Sequence, residues 1–239
     1  VNMSKKQRRK KQQSNIINFM NYLEEKRHVA RPTAKSEGQQ HYLNVLNDYR
    51  NKIIVATGPA GTGKTMLAAE RAIERLQKGE IDKIVITRPA SSVDEEIGFL
   101  PGDLNRKMEP WMRPIIDVLE SHFLPPTVDE MQRRGTIEIA PLAFMRGRTF
   151  KDAFVIGDEM QNSTPSQMKM LLTRLGRGSQ MVITGDTRQS DRMIDNGLVD
   201  FRRHFEKHFN PEHIAFVELT KGDIQRHPAV QEVLNMYGD

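Results

Sequence analysis

Short apolar runs alternate with longer stretches of helical periodicity along most of this chain. Runs of four or five mostly apolar residues, rich in Ile, Val and Ala, are typical of buried β-strands. They lie at 53–57, 84–87, 137–140, 153–156, 181–184 and 215–219. Between them, apolar residues recur at helical spacing, and this pattern predicts helices that include 37–48, 64–78, 111–120, 165–175 and 197–208.

This alternation predicts an α/β fold. Strands this short and apolar are buried on both faces, which happens when helices cover a parallel sheet from both sides. We therefore expect a mostly parallel sheet with helices on both faces. Ligands of such sheets bind at the carboxyl ends of the strands, so polar residues that follow strands are the first candidates for a functional site.

Composition narrows the class of protein. Of the 239 residues, 37% are hydrophobic and 28% are charged, which is typical of a soluble globular domain. The sequence has no apolar run near the roughly 18 residues of a membrane span and no signal-peptide pattern. The sequence contains no cysteine, which excludes disulfides, thiolate nucleophiles and cysteine-ligated metals, and we expect a cytoplasmic protein with no membrane partner.

The net charge of +5 is concentrated at one end of the chain. Residues 1–11 hold six basic residues and no acid, and removing those six from the 36 basic residues leaves 30 against 31 acidic ones. Such a run is either a nucleic-acid-binding arm or a solvated extension. Ser14 precedes a short apolar stripe of helical spacing that Pro32 interrupts. We predict that 1–35 form a basic tail plus a short helix, and that 36–239 form one domain.

A glycine-rich loop follows the first predicted strand. Residues 58–65 read GPAGTGKT and match the phosphate-binding pattern G-x-x-x-x-G-K-[ST], with a strand before and a helix after. Glycine lets the backbone turn its N–H groups toward phosphate oxygens, Lys64 adds positive charge, and Thr65 offers a hydroxyl ligand for Mg²⁺. The alternative is a structural glycine turn. The predicted nucleotide-binding residues are Gly58, Pro59, Ala60, Gly61, Thr62, Gly63, Lys64, Thr65 and Met66.

Two carboxylates follow the strand at 153–156. Adjacent residues that leave a strand point in different directions, so Asp158 and Glu159 can serve different roles. We predict that Asp158 holds Mg²⁺ and that Glu159 positions and deprotonates an attacking water. The alternative is an exposed acidic turn. After the strand at 181–184, Gln189 is a candidate contact to the γ-phosphate, although its motif alone is also typical of a turn.

Four of these motifs, in this order, resemble the ATPase core of helicase superfamily 1. They are GPAGTGKT at 58–65, TRPA at 87–90, DEMQN at 158–162 and TGDTRQ at 184–189. Four further stretches narrow the resemblance to the PhoH-like proteins, which are cytoplasmic ATPases also described as phosphate-starvation inducible. They are GFLPGDL at 98–104, PLAFMRGRTF at 141–150, QMKMLLTR at 167–174 and RHP at 226–228. The resemblance covers about 36–239 and implies a RecA-like P-loop NTPase fold.

The resemblance implies further roles. Gln39 looks like the glutamine that reads the adenine ring, although from the sequence alone it is an ordinary helix surface residue. Arg88 resembles a position near nucleic acid or phosphates. Arg226 resembles an arginine that contacts the γ-phosphate, and the alternative is a surface salt bridge. Superfamily 1 helicases place nucleotide between two RecA-like domains, and this chain has one, so either it is a simple ATPase or neighbouring subunits supply the missing half. We expect the second, a ring homo-oligomer in which Arg226 completes a neighbour's site.

Together these patterns predict an enzyme that binds and hydrolyses Mg²⁺–ATP and acts on RNA or single-stranded DNA. The predicted catalytic residues are Lys64, Glu159, Gln189 and Arg226, and the predicted metal ligands are Thr65 and Asp158. One alternative is a P-loop kinase of a small hydroxyl substrate, which would form ADP only with an acceptor present. Another is a nucleotide sensor or nucleic-acid-binding module that does not hydrolyse ATP.

Overall fold

The computed structural model describes residues 30–89, 104–188, 196–208, 211–226 and 228–237. Its strands are β1 (Ile53–Thr57), β2 (Lys83–Arg88), β3 (Ile137–Pro141), β4 (Ala153–Gly157), β5 (Gln180–Gly185) and β6 (Ile214–Glu218). Its α-helices are α1 (Glu37–Asn47), α2 (Lys64–Gln77), α3 (Leu104–His122), α4 (Pro125–Arg134), α5 (Pro165–Leu172), α6 (Gly197–Lys207) and α7 (Pro228–Tyr237). Short 3₁₀ helices occur at Leu142–Met145, Met160–Asn162 and Lys221–Asp223.

The strands form one sheet in the order β3-β2-β4-β5-β1-β6. Every neighbouring pair is parallel, which confirms the predicted sheet. Because the strands are parallel, all their carboxyl ends lie at the same edge of the sheet. The loops that follow β1, β4 and β5 therefore meet at that edge, which we call the carboxyl edge.

Helices cover both faces of the sheet. Successive strand residues point to opposite faces, so the two faces are filled by two apolar clusters. One cluster joins Ile54, Ile84, Ile156 and Val182 to Leu46 of α1, Leu67 of α2 and Leu119 of α3. The other joins Val55, Val85, Val155 and Ile183 to Leu171 of α5 and Leu198 of α6.

The helices differ from the sequence prediction mainly at α3, α4 and α7. Helix α3 begins at Leu104, seven residues before the predicted start at 111, and α4 and α7 lie outside the predicted set. Both begin at a proline, which breaks a helix interior but is well tolerated in the first turn, where its missing N–H has no helical partner. In the described ranges, no helix combines the length and apolarity needed to cross a membrane.

Candidate nucleotide site

The loop between β1 and α2 requires glycine at three positions. Gly58, Gly61 and Gly63 have φ angles of 148°, 81° and 81°, which side-chain-bearing residues rarely adopt. At Gly58 there is also no room, because an added Cβ would lie 2.4 Å from the carbonyl oxygen of Leu219. The sequence pattern therefore corresponds to a real backbone constraint.

Lys64 lies at the start of α2, with its ammonium group folded back onto the loop. Its Nζ donates hydrogen bonds to the carbonyl oxygens of Gly58 at 2.6 Å and Pro59 at 2.8 Å. Burial lowers the pKa of Lys64, and nearby carboxylates, of which Asp186 has the largest effect, act in the opposite direction. The loop thus holds a partly desolvated positive charge, which strengthens its attraction to phosphate oxygens.

Hard oxygen atoms from three elements converge beside the loop. Thr65 Oγ1 donates to Asp158 Oδ1 at 2.7 Å, and Thr184 Oγ1 donates to the same oxygen at 2.6 Å. The two hydroxyl oxygens are 3.3 Å apart. A carboxylate with neighbouring hydroxyls suits Mg²⁺, which prefers oxygen ligands, so the residues present fit the predicted metal. The sequence analysis predicted Thr65 and Asp158 as metal ligands and did not include Thr184, which the structure places in contact with both.

Glu159 points away from Asp158, as the strand-end argument predicted. Its backbone is left-handed, with φ of 51°. Its Oε1 lies 3.4 Å from Arg88 Nη2, and its Oε2 accepts a hydrogen bond from Gln161 Nε2. The Glu159 side chain is 38% exposed, whereas Asp158 is buried. The more accessible carboxylate is therefore the one predicted to meet water.

Gln39 lies beneath the phosphate loop. Its Nε2 donates to the carbonyl oxygen of Thr62 at 3.1 Å, and its Oε1 accepts from the backbone N–H of Lys35 at 2.8 Å. The side chain is buried, so the alternative of an ordinary helix surface residue is wrong. Gln39 supports the loop in this structure, and its role in reading adenine stays a prediction.

The segment that follows β6 wraps around the outside of the loop. The N–H of Leu219 donates to the carbonyl oxygen of Thr57 at 2.7 Å, and the N–H of Gln225 donates to that of Gly61 at 3.0 Å. Arg226 Nη2 lies 3.4 Å from the carbonyl oxygen of Ala60. Arg226 is therefore beside the loop of its own chain, whereas the sequence argument expected it at a neighbour's loop.

Asp223 fixes this segment to the start of α1. Its carboxylate accepts hydrogen bonds from Ser36 Oγ at 2.7 Å and from the backbone N–H groups of Thr220 at 2.7 Å and Gly38 at 3.2 Å. Burial alone would raise the pKa of Asp223, but these hydrogen bonds outweigh it and lower the pKa. The charged carboxylate thus ties together the two segments that carry Gln39 and Arg226.

Of the remaining predicted residues, the structure describes Met66 but not Gln189. Met66 is partly exposed in the first turn of α2. Gln189 lies outside the described residues, as do the basic stretch at 1–11 and the predicted helix near Ser14. Their roles, like the division of the chain at 35, stay predictions.

The fold and this site define a class of protein. Three features are typical of a P-loop nucleotide-binding protein. They are the parallel sheet, the glycine loop between β1 and α2, and the grouping of Lys64, Thr65 and Asp158. A family model described as PhoH-like protein matches residues 32–238. The chain therefore belongs to the PhoH-like family.

Curated relatives agree with this assignment. The chain is 45% identical over 205 residues to a PhoH-like protein of Bacillus subtilis strain 168, a match that covers 85% of this chain and 63% of that protein. It is 42% identical over 208 residues to Protein PhoH of Escherichia coli K12, covering 85% of this chain and 57% of that protein. The chain thus spans about 60% of the length of the relatives it matches.

Solved structures show a weaker likeness. The Sulfolobus solfataricus SWI2/SNF2 ATPase core in complex with dsDNA matches with a TM-score of 0.43 and 12% identity over 66% of this chain and 34% of that chain. Pif1 helicase from Candida albicans matches with a TM-score of 0.41 and 16% identity over 86% of this chain and 43% of that chain. Scores this low do not support an inference about function.

Proposed function

We propose that this protein is a Mg²⁺-dependent ATPase. The observation that carries the proposal is the convergence of Lys64, Thr65, Asp158 and Glu159 at the carboxyl edge of the sheet. Lys64 and Thr65 begin α2 directly after the glycine loop, and the two acids face different partners. This arrangement supplies a phosphate-binding cation, ligands for a metal and a separate carboxylate for water.

Each residue has a distinct proposed role. Thr65 and Asp158 would hold Mg²⁺, which supplies charge neutralisation on the phosphate oxygens when bound. Lys64 neutralises the triphosphate, and Glu159 accepts a proton from the water that attacks the γ-phosphate. Gln189 and Arg226 are proposed contacts to the γ-phosphate. The position of Arg226 beside Ala60 favours action on the nucleotide of its own chain.

Two substitutions test this proposal. Lys64→Ala should weaken ATP binding, because it removes the ammonium group that meets ground-state phosphate charge. Glu159→Gln should keep ATP binding and reduce phosphate release by about 10²–10⁴-fold, the usual effect of losing a catalytic base. Nucleotide affinity and phosphate release are measured separately and without any acceptor. Full turnover in Glu159→Gln would contradict the role of Glu159, and ADP formation that needs an acceptor would favour a kinase.

We further propose that the ATPase acts on RNA or single-stranded DNA. Phe144 follows the carboxyl end of β3 and is 56% exposed, and Arg146, two residues on, is also exposed. An exposed aromatic ring can stack on a base and an arginine can contact a phosphate. Because β3 is parallel to β2, both residues follow a strand that ends at the edge where the glycine loop lies. The basic stretch at 1–11 is a proposed additional arm.

The nucleic-acid proposal is tested by turnover with and without RNA and single-stranded DNA. A nucleic acid that is bound should stimulate phosphate release, and Phe144→Ala combined with Arg146→Ala should reduce that stimulation while basal turnover is retained. Arg133→Ala is a matched control, because this exposed arginine pairs with Glu130 on α4. If neither nucleic acid binds or stimulates the wild-type protein, this part of the proposal is wrong.

The proposed working form is a ring homo-oligomer in the cytoplasm. The supporting observation is an apolar stripe on α7, where Val230, Val233 and Tyr237 are all exposed. These residues have helical spacing and lie on one side of the helix. An exposed apolar stripe of this kind is typical of an interaction surface.

A further inference from the structure

Gln161 lies between two strand ends at the carboxyl edge. Its Nε2 donates a hydrogen bond to Glu159 Oε2, and its Oε1 accepts one from the backbone N–H of Asp186 at 3.1 Å. Glu159 follows β4 and Asp186 follows β5, so one side chain bridges the ends of adjacent strands. Gln161 is only 2% exposed, and its contact with Asp186 is buried, whereas its contact with the partly exposed Glu159 is half-buried.

The backbone determines which way the Gln161 amide faces. The N–H of Asp186 can only donate, so it requires the amide oxygen as its partner. The NH₂ group must then face the opposite side, where it meets Glu159. A carboxylate can only accept when ionised, so this orientation is also the one that suits Glu159. The two contacts therefore support each other.

Glu159 needs such support because its own surroundings constrain it little. It stands in a left-handed backbone conformation between β4 and a 3₁₀ helix, and its side chain is partly exposed. The ion pair with Arg88, at 3.4 Å, involves Oε1. The hydrogen bond from Gln161 holds the other oxygen and is anchored to a buried strand end.

We propose that Gln161 is a positioning residue that orients the Glu159 carboxylate and couples it to the end of β5. This inference rests on the proposed ATPase function and assigns Gln161 no contact with substrate. Misplacing a catalytic group by about 1 Å can reduce a rate by about 10²-fold. Loss of the Gln161 donor should therefore lower kcat and leave ATP binding intact.

Gln161→Glu tests the donor specifically. The new side chain keeps an acceptor for the N–H of Asp186 but places a second carboxylate against Glu159. We expect kcat to fall by about 10–100-fold with KM for ATP unchanged. Gln180→Glu is the matched control, because Gln180 is also buried and also donates and accepts, but at the start of β5, away from the site. It should keep the wild-type kcat if it folds.

A double substitution separates positioning from general damage. In the Glu159→Gln background the base is already absent, so adding Gln161→Glu should cost no further rate. A further tenfold loss in that background, or a normal kcat in Gln161→Glu alone, would overturn the proposal. If Gln161→Glu does not fold, the uncharged Gln161→Met replaces it in both backgrounds; this variant removes the donor to Glu159 and also the acceptor for the N–H of Asp186.

The outcome also distinguishes this inference from the proposed function. If Glu159→Gln retains full turnover, the proposed role of Glu159 is wrong, and the inference about Gln161 is wrong as well. If Glu159→Gln abolishes turnover while both Gln161 variants keep a normal kcat, the ATPase proposal stands and only the role of Gln161 is wrong.

Discussion

Asp158 and Glu159 show how adjacent residues acquire different chemistry from their surroundings. Asp158 is buried between the hydroxyls of Thr65 and Thr184, which leaves its oxygen directed at the phosphate loop. Glu159 turns toward Arg88 and remains partly exposed. The left-handed backbone at Glu159 helps to separate the two carboxylates, because it ends the extended strand abruptly.

Thr184 offers a sharp test of the metal site. Thr184→Val keeps the shape of the side chain but removes the hydroxyl that donates to Asp158. We expect the Mg²⁺ concentration for half-maximal turnover to rise by about tenfold, as is typical when a residue that orients a metal ligand is lost. The measurement is a titration of phosphate release with Mg²⁺ at saturating ATP.

Thr87→Val is the matched control for this prediction. Thr87 occupies the equivalent late position in β2, is fully buried, and its hydroxyl has no hydrogen-bond partner in the part of the chain that the structure describes. Its removal should leave the Mg²⁺ requirement unchanged. Equal requirements in both variants would mean that the Thr184 hydroxyl does not orient Asp158.

At the residue scale, the sequence predicts those site residues whose positions depend on the local backbone. The glycines of the loop and the two acids after β4 follow from short patterns, and they lie where those patterns predict. Thr184 and Gln161 could not be found this way, because each acts on a group that another strand supplies. The burial of Gln39 could not be predicted for the same reason, since it depends on a contact with Thr62, 23 residues along the chain.

At the scale of elements, the apolar runs predict the strands well because burial on both faces leaves an uninterrupted apolar signal. The ends of the observed strands agree with the predicted ends to within one residue. Helices were harder to predict where proline begins them, as in α4 and α7. Helix α3 was predicted too short, because the proline in its first half is typical of a loop.

The edge strand β3 provides a prediction about stability. Glu138 of β3 is ion-paired with Lys83 of β2, at 3.0 Å, and with Arg148. The hydrogen bond from Arg148 is the main reason that the pKa of Glu138 falls from its usual 4.5 to about 2. Because the folded-state pKa is the lower one, this contribution to stability is present above pH 4.5 and is lost as the pH falls from 4.5 toward 2.

Glu138→Gln should therefore lower the free energy of unfolding at pH 7 by about 1–2 kcal/mol. The variant should also lose less stability than the wild type between pH 4.5 and 2. Urea unfolding at several pH values measures both effects. Glu130→Gln is the control, since Glu130 pairs with exposed arginines on its own helix and its loss should change stability little. Parallel pH curves for wild type and Glu138→Gln would refute the prediction.

At the scale of the whole molecule, one chain brings together every described residue proposed for the nucleotide site. Gln39 comes from α1, Lys64 from α2, Glu159 from the end of β4, and Arg226 from the segment after β6. The sequence could not show that Arg226 returns to its own loop, because 166 residues separate it from Ala60. That position supports the proposal that Arg226 acts on the nucleotide of its own chain, so the proposed ring and the proposed chemistry can be tested separately.

A substitution on α7 tests this separation. Val233 is 49% exposed in the middle of the apolar stripe, so Val233→Asp should place a charge in the proposed interface and leave the fold intact. We expect the wild type to be oligomeric and Val233→Asp to sediment as a monomer. The control is Val199→Asp, because Val199 is similarly exposed but belongs to α6.

The same monomer decides whether the site is complete in one chain. The proposed site lies within one subunit, where it is formed by Lys64, Thr65, Asp158, Glu159 and Arg226. Monomeric Val233→Asp should therefore keep the basal rate of phosphate release. Its rate per chain should also be independent of protein concentration. Loss of turnover on dissociation, with restored turnover when Lys64→Ala and Arg226→Ala subunits are mixed, would instead place Arg226 at a neighbour's nucleotide. A wild type that is monomeric at all concentrations would exclude the ring and leave the single-chain site as the only working form.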